Sequence, residues 1–199
     1  MFSPQSITVR IATRGTPNEA VGAGWLCASK LIVTCAHVVN VALGHDEESS
    51  ECPAATDEVI VRAPLAENAP ATERRWRVSE WKPPIRSNLG GYDDDVAFLV
   101  PVDEGFSPPT PLDGVKPARG IRCDAFGFPA GFEEKGRSGC GKIGDLAGAR
   151  YEIIPIDASQ LPTPGFSGAP AVIGRYVAGI VSSVANAARA ESDHPVSCS

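Results

Sequence analysis

Residues 164–170 read Pro-Gly-Phe-Ser-Gly-Ala-Pro and lead into the apolar run Ala171-Val172-Ile173. A serine between two glycines, at a sharp turn before a β-rich segment, is typical of an exposed nucleophile in acyl transfer. Gly165 can adopt backbone conformations closed to residues with a Cβ atom, so its N–H and that of Ser167 could point at one spot and hold a developing oxyanion. The same short pattern also occurs in ordinary turns, so the rest of the chain has to decide between these interpretations.

The composition indicates a folded protein rich in short strands. Of the 199 residues 43% are hydrophobic, which is enough for a packed core, and 20 Gly and 18 Pro favour many strands joined by turns over a few long helices. This length suits one large all-β domain or two small ones that share an interface. The formal charge of -6 argues against nucleic acid or an anionic membrane as the main partner, and no stretch is long and apolar enough to span a bilayer.

The six cysteines indicate reduced thiols. They are too few and too irregularly spaced for a disulfide scaffold in a chain of this length, and no Cys-x-x-Cys pair marks a zinc site. We therefore expect a cytoplasmic protein whose cysteines pack as small hydrophobic residues, with no metal site and no cofactor.

The first half of the chain predicts a hairpin that ends at a histidine. Residues 20–27 and 30–35 are rich in apolar and β-branched residues and flank the short turn Ala28-Ser29. His37 follows directly, so we expect it at the end of a buried strand, where a side chain is held rigidly yet can face a cleft. A lone histidine at such a position is more often a core residue bonded to a backbone carbonyl, and that alternative stays open here.

Three consecutive acids, Asp93, Asp94 and Asp95, precede the apolar run 96–100. A carboxylate immediately before a buried strand is well placed to be desolvated and to orient a neighbouring imidazole. Asp95 abuts the strand and is the candidate, whereas Asp93 and Asp94 are interpreted as turn and surface acids. A solvated turn remains the alternative for all three.

A linker divides the chain into two comparable halves. Residues 103–120 are rich in Pro, Gly and charge and lack periodicity. The second half predicts four strands, over residues 121–128, 151–156, 169–173 and 176–182.

Three separate segments, in the order His, Asp, Ser, together resemble the chymotrypsin-like, or trypsin-fold, serine peptidases. They are Thr34-Cys35-Ala36-His37, Asp95-Val96-Ala97-Phe98-Leu99 and Gly165-Phe166-Ser167-Gly168-Ala169-Pro170. The resemblance covers about residues 20 to 184 and implies an all-β fold of two packed Greek-key β-barrels with the active site in the cleft between them. It implies one peptidase domain over residues 1–199, with an N-terminal barrel (1–102), the linker (103–120) and a C-terminal barrel (121–199). Few residues follow Ser182, where the family has a further strand and a closing helix, so we expect either a piece of a longer protein or a truncated second barrel.

The resemblance also implies the chemistry. His37 would act as general base, Asp95 would fix its tautomer, and Ser167 would form the acyl-enzyme while the N–H groups of Gly165 and Ser167 act as oxyanion hole. We therefore expect a serine endopeptidase that acts on a protein or peptide substrate. The alternative is a catalytically silent pseudo-protease that binds peptides as a scaffold.

The same resemblance suggests the substrate preference. Leu161 would lie at the base of the primary pocket, and Ser182, Ser183 and Val184 would line the strand where the substrate backbone pairs. An apolar Leu161 argues against a pocket for Arg or Lys, and Val184 would narrow a pocket that a glycine leaves open in trypsin. We expect cleavage after a small or medium apolar residue.

Departures from the family pattern concern activation and location. Phe166 stands where trypsin-like zymogens have the acid that pairs with a newly freed N-terminal amine, so we do not expect activation by that route. Cys35 lies two residues before His37 instead of just after it, and the partner position of Cys123 is Ile173, so the extracellular disulfides are missing. These segments look most like bacterial cytoplasmic trypsin-like domains fused to, or encoded beside, signalling and anti-phage defence modules. That likeness implies a fused or associated signalling module and an effector role in defence.

Overall fold

The computed structural model describes residues 3–13, 15–62, 73–86, 92–106, 113–147, 150–157, 162–183 and 196–198. Most of the regular structure in these ranges is β-strand. The strands of the first barrel are β1 (Thr8–Thr13), β2 (Thr16–Ala28), β3 (Leu31–Thr34), β4 (Val59–Arg62), β5 (Glu73–Lys82) and β8 (Val96–Pro101). Two short strands between them, β6 (Ile85–Arg86) and β7 (Tyr92–Asp93), pair with each other. The strands of the second barrel are β9 (Arg122–Gly127), β10 (Arg137–Ala147), β11 (Arg150–Pro155), β12 (Pro170–Ile173), β13 (Tyr176–Ser183) and β14 (Val196–Cys198). A 3-10 helix (Pro4–Ser6) precedes β1, and the helix α1 (Ala36–Leu43) follows β3.

The first barrel closes in the strand order β1-β2-β3-β8-β5-β4, with antiparallel neighbours. Because β4 returns to lie beside β1, the first four strands form a Greek key. Alternate residues of β3 and β4 are buried, as expected for strands with one face toward a core. That core contains Val9, Ile11, Leu26, Leu99 and the fully buried indole of Trp76.

The second barrel repeats this topology in the order β10-β11-β14-β13-β12-β9. Its β12 lies beside β9 through the pair Val172 and Asp124, which again makes a Greek key. Phe126, Phe128 and Phe166 are prominent in its core. The prediction of an all-β fold of two Greek-key barrels is confirmed, and β14, which comes from the segment after Ser182, supplies the sixth strand.

The sequence analysis missed β10, although this strand has eleven residues. Its glycines hid the alternation of apolar and polar residues on which the strand prediction depended. A Cβ atom at Gly141 would lie 2.4 Å from the side chain of Ile153 and 2.8 Å from the carbonyl oxygen of Ile154, both on the paired strand β11. Position 141 therefore requires glycine, because the neighbouring strand approaches too closely for a side chain.

The expectation that His37 ends a buried strand is wrong. β3 ends at Thr34, and His37 lies in the first turn of α1. The helix is buried along most of its length, and it ends at Gly44, whose φ of +78° provides the left-handed C-cap that glycine adopts without strain. Residues 36–43, six of which are apolar, therefore form a helix directly after the hairpin.

Hydrogen bonds and packing hold the two barrels together. Ile180 of the second barrel packs in the core of the first, and Ala23 of the first packs in the core of the second. Polar contacts that cross between the barrels include the Ala23 N–H to the Ser167 carbonyl (2.8 Å), the Cys35 thiol to the Val181 carbonyl (3.3 Å), Arg10 Nη1 to the Glu133 carbonyl (2.8 Å) and Arg150 Nη2 near Asp93 Oδ1 (3.6 Å). Three of these four contacts involve Ser167 or a residue two positions before His37 or Asp95, so barrel docking affects the geometry there.

The structure describes only part of the predicted linker (103–120), because residues 107–112 lie outside the described ranges. Residues 113–120 contain no strand or helix, apart from a bridge between Gly114 and Val177. The domain boundaries stay a prediction. No helix within the described ranges has the length and apolar character needed to cross a membrane.

Candidate active site

His37 and Asp95 form a buried hydrogen-bonded pair. Nδ1 of His37 lies 2.6 Å from Oδ2 of Asp95, and the His37 backbone N–H donates to Oδ1 at 2.9 Å. The two side chains are only 8% and 1% exposed. Because a carboxylate can only accept, the short contact puts the ring proton on Nδ1 and leaves Nε2 as an acceptor. The pair therefore presents an oriented base that is shielded from water.

The local backbone explains how these side chains meet. The first N–H groups of a helix have no partner within it, and His37, in the first turn of α1, donates its N–H to the Asp95 carboxylate instead. On the other side, Asp94 has a φ of +55° and its carbonyl accepts from the Val96 N–H at 2.7 Å, which makes a tight turn just before β8. Asp95 is 2% exposed, whereas Asp94 is exposed and Asp93 is half-buried. Of the three acids, Asp95 is the one that contacts His37.

Ser182 also binds Asp95. Its hydroxyl donates to Oδ2 at 3.2 Å, and the residue is completely buried. Among the described residues, Asp95 accepts two hydrogen bonds from His37 and one from Ser182 on β13 of the second barrel. The sequence analysis expected Ser182 on the substrate-pairing strand; the structure turns its side chain away from the surface and onto the carboxylate.

Tyr92 packs on the imidazole of His37, with ring centroids 5.3 Å apart. Its hydroxyl donates to Glu47 at 3.2 Å, and the Arg86 guanidinium lies 6.0 Å from its ring centroid. Burial, reinforced by the nearby charges of Glu47 and Glu48, raises the pKa of Tyr92. Glu47, in the loop after α1, therefore holds the Tyr92 ring as an aromatic wall against the histidine.

The loop with Ser167 is shaped by two glycines and a buried phenylalanine. Gly165 and Gly168 have φ values of +102° and +83°, which residues with a side chain rarely adopt. Phe166 is fully buried in the core of the second barrel, and it packs over Gly127, where a Cβ atom would lie 2.6 Å from its ring. The loop that carries Ser167 is thus anchored by apolar packing at the position where zymogens have an acid.

Ser167 lies beside the segment that carries His37. Its carbonyl accepts from the Ala23 N–H at 2.8 Å, and a Cβ atom at Gly22 would be 3.1 Å from that carbonyl oxygen and 2.7 Å from the side chain of Val38. Within the described ranges no hydrogen bond joins the Ser167 hydroxyl to the His37 ring. Such contacts are often long in unliganded enzymes and shorten with substrate bound.

Two backbone donors at this loop are available. In the described part of the chain, neither the Gly165 nor the Ser167 N–H donates to another backbone group, whereas Phe166 and Gly168 do, to the Thr163 and Val181 carbonyls. These two N–H groups are the pair that the sequence analysis expected to form an oxyanion hole.

The remaining predicted site residues are Leu161, Ser183 and Val184. Leu161 and Val184 lie outside the described residues. Ser183 is the last residue of β13 and pairs with Ser197 of β14. Their roles in substrate binding stay a prediction.

Cys35 and Tyr92 are site residues that the sequence analysis did not select. Cys35 is the N-cap of α1, completely buried, and burial together with the charge of Asp95 raises the pKa of its thiol well above the usual value. Cys35, His37 and Asp95 form a group with ligand types suited to a metal ion. The position of Cys35, two residues before His37, was the sequence signal that could have identified it. No sequence signal indicated Tyr92, because its contact with His37 depends on how a distant loop folds back.

Residues 22–178 match the family model of the trypsin-like peptidase domain. No curated protein is similar enough in sequence to match the chain.

Solved protease structures share the fold. The MamO protease domain from Magnetospirillum magneticum, in its apo form, is 15% identical, with 97% of this chain and 90% of that chain covered and a TM-score of 0.63. Kallikrein-related peptidase 10 in complex with Zn²⁺ is 15% identical, with 98% and 89% covered and a TM-score of 0.66. The Rv3671c protease of M. tuberculosis, in an inactive form, is 18% identical, with 98% and 83% covered and a TM-score of 0.58. Identities this low support a common fold and nothing finer.

Proposed function

The chain belongs to the trypsin-like peptidase family, and from this premise we propose that it is a serine endopeptidase with Ser167 as nucleophile, His37 as general base and Asp95 as the residue that orients the base. The observation that carries the proposal is the buried pair of His37 and Asp95, with Nδ1 2.6 Å from Oδ2. A histidine whose Nδ1–H is held by a carboxylate has Nε2 free to accept a proton.

In the proposed mechanism, Nε2 of His37 takes the proton from the Ser167 hydroxyl as its oxygen attacks the substrate carbonyl carbon. The positive charge that develops on the imidazole is stabilised by Asp95, which loses no solvation at that moment because it is already buried and hydrogen-bonded. His37 then gives the proton to the leaving amine, and the acyl group remains on Ser167. A water molecule, deprotonated in turn by His37, releases the acid product.

The oxyanion hole in this proposal consists of the Gly165 and Ser167 N–H groups. The support for it is that both donors lack a backbone acceptor in the described part of the chain, and that Gly165 has a left-handed φ of +102°. A preorganised pair of donors costs no reorganisation when the tetrahedral oxyanion forms.

For the substrate, we propose a protein or peptide that is cleaved after a small or medium apolar residue. The support is the apolar character of Leu161 and Val184 at positions that line the primary pocket in the family. Profiling the cleavage of a peptide library tests this, and dominance of Arg or Lys before the scissile bond would contradict it.

The cellular setting is also a proposal. We propose that the peptidase works in the cytoplasm, fused to or associated with a signalling module, as an effector in bacterial defence. The thiols of Cys27, Cys35, Cys52 and Cys123, which form no disulfide among the described residues, are compatible with that compartment. Comparing cleaved proteins in cells that carry wild-type protein or Ser167→Ala identifies the substrate, and a cleavage pattern that is the same in both would contradict a proteolytic role.

One observation favours a second candidate, a pseudo-protease that binds peptides without turnover. The Ser167 hydroxyl has no hydrogen bond to His37 in the described ranges, so the triad is joined only between His37 and Asp95.

A fluorophosphonate probe separates the two candidates, because it reacts with an activated serine and needs no knowledge of the substrate. We expect the wild type to be labelled and Ser167→Ala to be unlabelled. Ser79→Ala, which removes an exposed serine of β5, is the matched control and should be labelled like the wild type. Absence of labelling in folded wild-type protein, with retained binding of peptides, would support the scaffold instead.

A further inference from the structure

Three potential metal ligands of different chemistry meet beside the proposed base. The Cys35 thiol, the His37 imidazole and the Asp95 carboxylate each offer one ligand atom, and these atoms lie within 4.8 Å of one another. All three residues are buried. The proposed mechanism uses the side chains of Ser167, His37 and Asp95, so the Cys35 thiol has no part in peptide hydrolysis.

We propose that Cys35, His37 and Asp95 form a binding site for a thiophilic divalent cation such as Zn²⁺, and that the bound ion inhibits the peptidase. The binding site stands independently of the proposed function, whereas its inhibitory effect rests on it. Thiolate, imidazole and carboxylate are the three ligand types that zinc sites in proteins use.

A tetrahedral ion requires the ligands to shift: the hydrogen-bonded edge must widen, and an edge near the upper bound of 4.8 Å must shorten. Zinc–ligand distances of about 2.0–2.3 Å correspond to ligand–ligand edges of roughly 3.3–3.7 Å. The His37 Nδ1 to Asp95 Oδ2 edge is 2.6 Å, so it must widen by about 0.7 Å. Asp95 keeps its place meanwhile, because its other oxygen, Oδ1, still accepts from the His37 backbone N–H at 2.9 Å. The Ser182 hydroxyl, 3.2 Å from Oδ2, is a further oxygen atom beside the three ligands.

The charges balance in the bound state. The thiol of Cys35 loses its proton to solvent, and the proton on Nδ1 of His37 moves to Nε2, so that Nδ1 can donate its lone pair to the ion. One thiolate and one carboxylate then neutralise a divalent cation, and the buried complex carries no net charge, which avoids the desolvation penalty of an isolated buried ion. One proton is released and nothing is oxidised or reduced.

Inhibition follows from the same proton movement. With Nδ1 bound to the ion and the proton on Nε2, the imidazole has no lone pair with which to accept the Ser167 proton. The ion also takes Oδ2 of Asp95 away from the ring. The soft thiolate and the imidazole select Zn²⁺ or Cd²⁺ over Ca²⁺ and Mg²⁺, which prefer oxygen ligands alone.

The test uses Cd²⁺ as probe, because cadmium bound to a thiolate shows an ultraviolet charge-transfer band that does not depend on enzymatic activity. All proteins carry Cys52→Ser, which removes an exposed thiol. We expect Cd²⁺ to produce the band, Zn²⁺ to displace it, and Mg²⁺ to leave it unchanged. Cys35→Ala should weaken Cd²⁺ binding by about 100-fold or more, whereas Cys123→Ala, which removes a buried thiol of the second barrel, should leave the band unchanged.

Further variants separate this site from the proposed function. Ser167→Ala should bind Cd²⁺ like the wild type, since Ser167 is not a ligand, and Zn²⁺ should slow fluorophosphonate labelling of wild type but not of Cys35→Ala. Cys35→Ser, which keeps nearly the same volume, repeats the experiment if the alanine variant is unstable. A band that persists without Cys35, or no band in the wild type, would overturn the metal site. A Cys35-dependent band with unchanged labelling would overturn the inhibition alone, and no labelling of any variant would instead count against the peptidase.

Discussion

Replacing Ser182 by alanine tests whether the second barrel contributes to the orientation of the base. The substitution removes the hydrogen bond to Oδ2 of Asp95 and leaves both bonds from His37 in place. A hydrogen bond to a charged group is worth about 1.5–3 kcal/mol. The length of 3.2 Å is long for a hydroxyl donor, so we expect the lower value, about 1.5 kcal/mol, which corresponds to roughly a tenfold lower rate.

The rate of fluorophosphonate labelling of Ser167 measures this effect without a known substrate. Ser79→Ala is the matched control, because Ser79 also donates at 3.2 Å, but to the neutral carbonyl of Phe98 and in an exposed position. We expect the control to label at the wild-type rate and Ser182→Ala to label about tenfold more slowly while its thermal stability shows that it is folded. A folded Ser182→Ala protein that labels within about twofold of wild type would refute the argument that this hydrogen bond orients the base.

Three further predictions concern the oxyanion loop, the aromatic wall and a buried thiol. Gly165→Ala should lower the labelling rate by about 100-fold, because the added Cβ atom would lie 2.6 Å from the Phe128 carbonyl oxygen. The control is Gly174→Ala, which also has a positive φ but would have no atom within 4 Å of the added Cβ, and it should be labelled at the wild-type rate. An equal loss in both variants would contradict the clash as the cause. Tyr92→Phe removes only the hydrogen bond to Glu47 and should lower the free energy of unfolding by about 1.5 kcal/mol in urea denaturation; an unchanged value would show that the bond contributes nothing. Burial raises the pKa of the Cys123 thiol from 9.0 to about 11, so its neutral form stabilises the fold below about pH 9 and this contribution is lost as the pH rises toward about 11. The stability difference between wild type and Cys123→Ala should shrink over that range, and a constant difference would contradict the raised pKa.

Patterns along the chain predicted the two-barrel architecture. Strand β10, the helical position of His37 and the side-chain contacts at the site were not predicted. The three separated segments around His37, Asp95 and Ser167 were enough to expect the fold. Strand β10 was not predicted because a glycine is needed at position 141, where the paired strand approaches closely. The sequence near Gly141 does not indicate that approach. The helical position of His37 was not predicted because residues 36–43, six of which are apolar, suit a helix as well as a strand.

Side-chain directions at the site were the least predictable part. Ser182 was expected on the strand where the substrate backbone pairs, and the bond of its side chain to Asp95 was not foreseen, because the side to which a strand residue points depends on the register of the whole barrel. Tyr92 contacts His37 because a loop after α1 supplies Glu47 as its partner. Both contacts join residues far apart in the chain, which composition and spacing do not encode.

The division of the site between the barrels has a consequence for the making of the protein. His37 and Asp95 leave the ribosome with the first barrel, while Ser167 follows later and its carbonyl finds the Ala23 N–H only after both barrels have folded and docked. The proposed triad is therefore incomplete until the second barrel has been synthesised and has docked on the first. In the proposed function, the ability to hydrolyse peptides is acquired only at that last step of folding.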